Sequence, residues 1–219
     1  MRSRGADRFD HDLEANWYDH KVADETHPIR RGYGACIRAL AEDLRRGPGP
    51  AELPMVELGA GTGALTSQMP ADRRVVAIDI SSKMLAVAKD RLRGRPVELV
   101  QADLLAWVTE SDEPLGTVAS AFALHHLESD EKRLLIDTLA RRMAPGSRLC
   151  IGDLGLQDAD AHACWMPGSS ADPGVAQSVA EAYFWRWEAA EAQLRERGFR
   201  VRRRKHGPLI SSLVAMRDT

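Results

Sequence analysis

The sequence predicts an α/β protein: a doubly wound, mostly parallel sheet of seven strands beneath an N-terminal helical cap. Three observations carry that prediction. From Met55 onward the apolar runs are short, rich in Val and Ile, and separated by helical stretches, the pattern of a parallel sheet covered on both faces. The first run, Val56-Glu57-Leu58, carries an acid two positions ahead of Gly59, which Gly61 and Gly63 follow. The next run ends in Asp79, and open sheets of this class bind ligands at the carboxyl ends of their strands, where strand order reverses.

In chain order, residues 1–12 are charged, and a helical region extends from about Leu13 to Arg46 with a break near His27-Pro28. Arg46-Gly47-Pro48-Gly49-Pro50 is a stop and turn. Strands are expected near 54–58, 74–79, 97–101, 117–122 and 147–152, with helices near 62–68, 82–92 and 129–143. Ser81 is the expected cap of the second of these helices. Residues 154–174 lack periodicity and form a lid-like insertion. A helix over about Val175–Arg197 follows, then strands Phe199–Lys205 and Leu209–Met216 joined by His206-Gly207-Pro208. The 219 residues therefore read as one domain: cap 1–46, core 47–153, insertion 154–174, and C-terminal helix and hairpin 175–219.

Composition narrows the partners. With 44% hydrophobic and 28% charged residues and a formal net charge of −2, the chain does not suit a nucleic acid held mainly by electrostatics. The N-terminus has no apolar leader core, and no apolar run approaches the roughly 18 residues that read as a membrane span. Cys36, Cys150 and Cys164 make no paired framework, which fits a reducing, cytoplasmic setting. His162 and Cys164 are an isolated pair, and no metal-ligand spacing occurs, so no metal is expected.

Glycine lets the backbone after Glu57 turn sharply and lie against a ligand where a Cβ would collide, and a helix begun at Thr62 would aim its positive end at an anion there. Two cofactor classes use such a loop. The dinucleotide pattern wants G-x-G-x-x-G, whereas here the third glycine arrives one residue early and Ala64 takes the last place. A carboxylate ahead of the loop suits a cofactor carrying an ammonium group, as S-adenosylmethionine does.

The blocks VELGAGTG (56–63), VVAIDIS (75–81), VELVQADL (97–104), VASAFALHHL (118–127) and MAPGSRLCIGDL (143–154) occur in the order found in class I S-adenosylmethionine-dependent methyltransferases, and the chain resembles that family over about residues 53–154. Within it, ASAFALHHL and the following APG look most like small-molecule enzymes loosely grouped with the ubiquinone/menaquinone C-methyltransferases, although the quinone-enzyme signatures are missing. The resemblance implies a Rossmann-like methyltransferase fold with an antiparallel last strand, S-adenosyl-L-methionine as cofactor and a small-molecule acceptor.

It also implies roles for particular residues. Glu57, Gly59, Ala60, Gly61, Thr62 and Gly63 would hold the methionine part. Asp79 would accept from both ribose hydroxyls, with Ile80 on the adenine face. Asp103 would accept from the adenine amine, with Leu104 donating its backbone N–H to the ring, and Met84 and Ala121 would complete the surroundings. Tyr18, within Trp17-Tyr18-Asp19, matches the tyrosine that relatives extend from a cap helix to the methionine carboxylate, though these aromatics could equally pack the cap. Arg30 and Arg31 could serve the same carboxylate.

Methyl transfer from a sulfonium is an in-line displacement that chiefly needs the nucleophile placed about 3–3.5 Å from the methyl. His125 and His126, after the fourth strand, are the candidate catalytic bases, since imidazole titrates near neutrality. The cluster Ala180, Tyr183, Phe184, Trp187 and Leu194 has near-helical spacing and reads as a core stripe, leaving Trp185 and Trp165 for substrate contact. The basic run Arg200, Arg202, Arg203, Arg204 and Lys205 reads as protection of an edge strand. Three rivals remain: an RNA or DNA methyltransferase, a non-catalytic cofactor-binding regulator, and an NAD oxidoreductase. The sequence leaves the acceptor atom open, as it does the choice between monomer and homodimer.

Overall fold

A computed structural model describes residues 2–6, 11–156 and 183–217. The apolar runs become β1 (Met55–Leu58), β2 (Val75–Asp79), β3 (Val97–Gln101), β4 (Val118–Ala121) and β5 (Arg148–Leu156), followed by the short β6 (Trp185–Arg186), β7 (Phe199–Lys205) and β8 (Ile210–Arg217). The path across the sheet is β3-β2-β1-β4-β5-β8-β7, and β6 pairs beside β5. Neighbours from β3 through β5 are parallel, whereas β8 lies antiparallel to both β5 and β7. The antiparallel last strand is as expected. The described sheet has eight strands rather than seven, because β6 adds a two-residue pairing of Trp185 and Arg186 with Gly155 and Leu156.

Period-2 alternation sends side chains to two cores. Val56, Leu58, Val76 and Ile78 face a cluster with Leu105, Leu135, Leu139 and Leu194, contributed by helices α4 (Leu104–Thr109), α5 (Ser129–Arg142) and α6 (Trp187–Glu196). Met55, Val75, Ala119 and Cys150 face the opposite cluster with Cys36, Leu40 and Leu44 of α2 (Tyr33–Arg46). The cap consists of α1 (Tyr18–Ala23), two short 3₁₀ turns and the start of α2, and α3 (Ser82–Arg91) follows β2. Ser81 caps α3 as expected, its hydroxyl accepting from the Met84 N–H at 3.0 Å. Among the described residues, no helix is long and apolar enough to cross a membrane.

Two expected helices change. No α-helix starts at Thr62; only Thr66–Gln68 forms a 3₁₀ turn. Gly61 (φ 53°) and Gly63 (φ 78°) both adopt left-handed backbone, which breaks the run of right-handed dihedrals a helix needs, so the dipole expected at this loop is absent. At the C-terminal end, α6 begins only at Trp187, and Trp185 enters the sheet. Trp185 and Trp187 stack at 5.4 Å beside Gly155, where a Cβ would lie 2.2 Å from Trp187 Nε1. The helical stripe through Tyr183 and Phe184 therefore does not form. Trp185 is core, 2% exposed, and not a substrate wall. The remainder of that expected helix, Ala180, and the insertion with Trp165, His162 and Cys164 lie outside the described residues, apart from 154–156, which finish β5.

Candidate functional site

Strand order reverses between β1 and β4, and a cleft of about 480 Å³ opens at the carboxyl ends of these strands. It is lined by Tyr18, Glu57, Gly59, Ala60, Gly61, Thr62, Asp79, Ile80, Met84, Asp103, Leu104, Ala121, His125 and His126. Residues from six blocks of sequence thus meet at one place. Gly63 does not line the cleft; a Cβ there would meet Leu92 and Ala88 of the α3 end, so its glycine serves helix packing.

The loop is held by its own backbone. The Gly59 and Ala60 N–H groups both donate to Ile78 O at 2.8 Å. The Gly61 N–H donates to Asp79 Oδ2 at 2.7 Å, and the Ser81 N–H to Oδ1 at 2.9 Å, which fixes the carboxylate at the cleft wall. Gly59 has φ 75°, and a Cβ there would stand 2.1 Å from Ala123 Cβ. Gly59→Ala is therefore expected to lower the unfolding midpoint by at least about 4 °C, since left-handed backbone alone costs roughly 1–2 kcal/mol and the collision adds to it. Differential scanning fluorimetry checks this against Gly61→Ala, whose Cβ would meet nothing within 4 Å.

Glu57 is 1% exposed at the cleft floor and takes a hydrogen bond from the Thr66 hydroxyl. Burial pushes its carboxyl up to about 8; the Thr66 bond opposes the rise, and the nearby Asp79 charge adds to it. The folded pKa lies above the ordinary one, so this group favours folding at low pH. The ligand-free protein should lose stability as pH climbs from about 4.5 to about 8. A cationic group arriving beside Glu57 would ionise it and release a proton.

The cap is tied down over the loop. Asp19 accepts from the Thr62 hydroxyl at 2.7 Å and pairs with Arg91. Tyr18 borders the cleft, and burial, then the Asp79 charge, raises its phenol above the ordinary range. Arg30 also lines the cleft but donates to Lys21 O at 2.7 Å; Arg31 is not in the lining. Asp103 caps α4 through the Ala106 N–H at 2.8 Å, and the backbone and hydroxyl of Ser3 bond the same carboxylate. Arg4 beside it pairs with Glu128, Asp130 and Glu131 at the start of α5, so the N-terminal segment lies across this end of the cleft.

Phe122 has φ 53°, the one positive φ outside glycine among the described residues, and its ring packs 4.6 Å from that of Tyr33. His125 and His126 follow, their rings 4.1 Å apart. His125 Nδ1 lies 2.7 Å from Asp153 Oδ1. Sequence reasoning passed over Asp153, Asp19 and Arg91. Asp153 and Asp19 stood inside quoted motifs, but only the fold shows that they contact His125 and Thr62 of the cleft lining.

The family model described as a methyltransferase domain matches residues 55–146. An uncharacterized methyltransferase from Geobacillus kaustophilus is 29% identical over 157 residues, covering 71% of this chain and 66% of the relative. One from Bacillus cereus strain ATCC 14579 is 31% identical over 109 residues, covering 49% of this chain and 50% of the relative. The chain thus spans between half and two thirds of the length of these relatives. Among solved structures, a DhpI-SAM-HEP complex superposes with a TM-score of 0.69 at 20% identity, over 98% of this chain and 99% of that one. Magnesium protoporphyrin IX methyltransferase from Synechocystis PCC 6803 with bound SAM gives 0.66 at 17% identity, over 96% and 98%. These two likenesses concern the fold.

Proposed function

We propose that the chain is a class I S-adenosylmethionine-dependent methyltransferase and that it transfers the methyl group of S-adenosylmethionine to a small-molecule acceptor bound in the described cleft. One observation carries this reading: the buried carboxyl of Glu57, a loop of left-handed glycines and the fixed carboxylate of Asp79 converge on one cavity. The residues suit the group. A buried carboxyl whose hydrogen bonds come from Thr66 has room for a cationic partner, and Gly61 leaves open space where a side chain would stand. A cavity of about 480 Å³ lies within the usual range for small-ligand sites.

S-adenosylmethionine, when bound, supplies the electrophilic methyl group. Glu57 would hold the ammonium, Asp79 the ribose hydroxyls, Tyr18 the carboxylate end, and Ile80, Met84, Leu104 and Ala121 the adenine and its surroundings. Asp103 would take the adenine amine on displacing Ser3. The Asp19 hydrogen bond to Thr62 ties the cap to the loop. The apolar wall of Ile29, Tyr33, Ile37, Phe122 and Leu154 favours an acceptor with apolar surface.

Two of the basic residues of the edge strand, Arg202 and Arg203, pair with Asp43 and Glu191, which supports a structural role for them. Calorimetry tests the central claim: S-adenosylhomocysteine should bind and NAD should not, and the reverse would overturn it. The same titration at pH 7 in buffers of different ionisation enthalpy should report proton release on binding, lost in Glu57→Gln. A wild-type enthalpy independent of buffer would remove Glu57 from the ammonium.

A further inference from the structure

Asp153 is wholly buried in β5 yet carries a full set of partners. Its Oδ1 accepts from the Leu154 N–H at 2.8 Å and faces His125 Nδ1 at 2.7 Å, while its Oδ2 accepts from the Trp185 indole N–H at 3.1 Å. The ring of His125 borders the cleft. Its backbone carbonyl accepts from the Tyr183 N–H at 2.8 Å, the His126 ring packs on it, and Trp185 is locked by its stack on Trp187. The histidine is thus held by its backbone, by its neighbouring ring and by Nδ1. Among the described residues, no hydrogen bond or ion pair engages Nε2.

We infer that Asp153 is a positioning residue, fixing His125 so that Nε2 serves as base toward an acceptor that arrives as a neutral hydroxyl. The inference rests on the methyl-transfer reading and names its substrate class. An ionised carboxylate only accepts hydrogen bonds, so Nδ1 must carry the proton and Nε2 keeps its lone pair. In the transfer, the acceptor oxygen forms its bond to the methyl carbon as the sulfonium carbon–sulfur bond breaks. The sulfur leaves as a neutral thioether and the hydroxyl proton passes to Nε2. The imidazolium so formed is stabilised by Asp153, which remains ionised. An anionic acceptor would need no such group.

A purely structural polar cluster is the competing account. Asparagine could satisfy the Trp185 or the Leu154 donor but not both, so a carboxylate is needed for packing as well as for the histidine. The test therefore has to read the ring itself. Other titrating groups feel Asp153: Lys132 from α5, lowered to about 8 by burial, Tyr18 from α1 and Cys36 from α2, with His126 against the ring. Lys132 titrates in the useful range, so a pH profile alone would be ambiguous.

The experiment is nitrogen-15 NMR of the histidine rings in the full chain near pH 8, with His125 assigned by comparison with His125→Gln, beside calorimetry with S-adenosylhomocysteine. The expected result is a His125 ring protonated at Nδ1 and bare at Nε2, moving toward the Nε2–H form in Asp153→Leu. With a hydroxyl acceptor, that variant should lose at least about tenfold in kcat with cofactor affinity kept. A wild-type ring protonated at Nε2, or an unchanged tautomer in a folded Asp153→Leu, which offers Nδ1 no acceptor, overturns the inference. If the variant does not fold, the wild-type spectrum decides. Failure of S-adenosylhomocysteine to bind would instead overturn the methyl-transfer reading, whatever the tautomer.

Discussion

Asp79→Ala is expected to weaken S-adenosylhomocysteine binding at least tenfold, measured by calorimetry on protein shown to be folded. The Asp79 carboxylate is 9% exposed and already aligned by the Gly61 and Ser81 N–H groups, so it meets the ribose without reorganising. Two charge-assisted bonds at about 1.5–3 kcal/mol each would be lost, a nominal hundredfold or more. Two effects move the observed value. Releasing the Gly61 N–H loosens the loop and deepens the loss, while removing the Asp79 charge eases ionisation of Glu57 and offsets part of it. Tenfold is therefore the floor. Unchanged affinity would take Asp79 out of the ribose site.

The parallel core was legible because its signals are local. Val- and Ile-rich runs bounded by acids and glycines fix β1 and β2, and Ser81 announces α3 as a side-chain cap must, from within one turn. Glu57, Asp79, Asp103 and the two histidines could be placed in one cleft because strand ends converge in this topology. The failures have equally physical causes. Residues 62–68 carry adequate helix formers, but the loop glycines take left-handed backbone, and backbone sign is not readable from glycine, which adopts either. Trp185 looked like a helix residue because its spacing to Trp187 says nothing of Gly155, 30 residues earlier, whose missing side chain lets the indoles lie on β5. Asp103 was read toward adenine alone, whereas its nearest duties are an α4 cap and a bond to Ser3, a partner 100 residues away.

That separation in sequence also hid the difference between the two histidines, from which the second large effect follows. His125→Ala should cut turnover by roughly 10²–10⁴ at saturating cofactor with S-adenosylhomocysteine affinity intact, while His126→Ala should lose no more than about fivefold. As sequence neighbours the two are equivalent, but His125 faces the buried carboxylate of Asp153, which can sustain a positive charge formed during proton transfer. His126 packs its ring on His125, and the carbonyl it passes close to Gly5, where a Cβ would lie 2.3 Å from the oxygen, is a backbone group that alanine keeps. Measuring both variants on one hydroxyl acceptor separates the two roles. Losses below about fivefold in both would reject a histidine base and leave approximation of the reactants, which by itself can lower such a barrier by several kcal/mol, as the source of the acceleration.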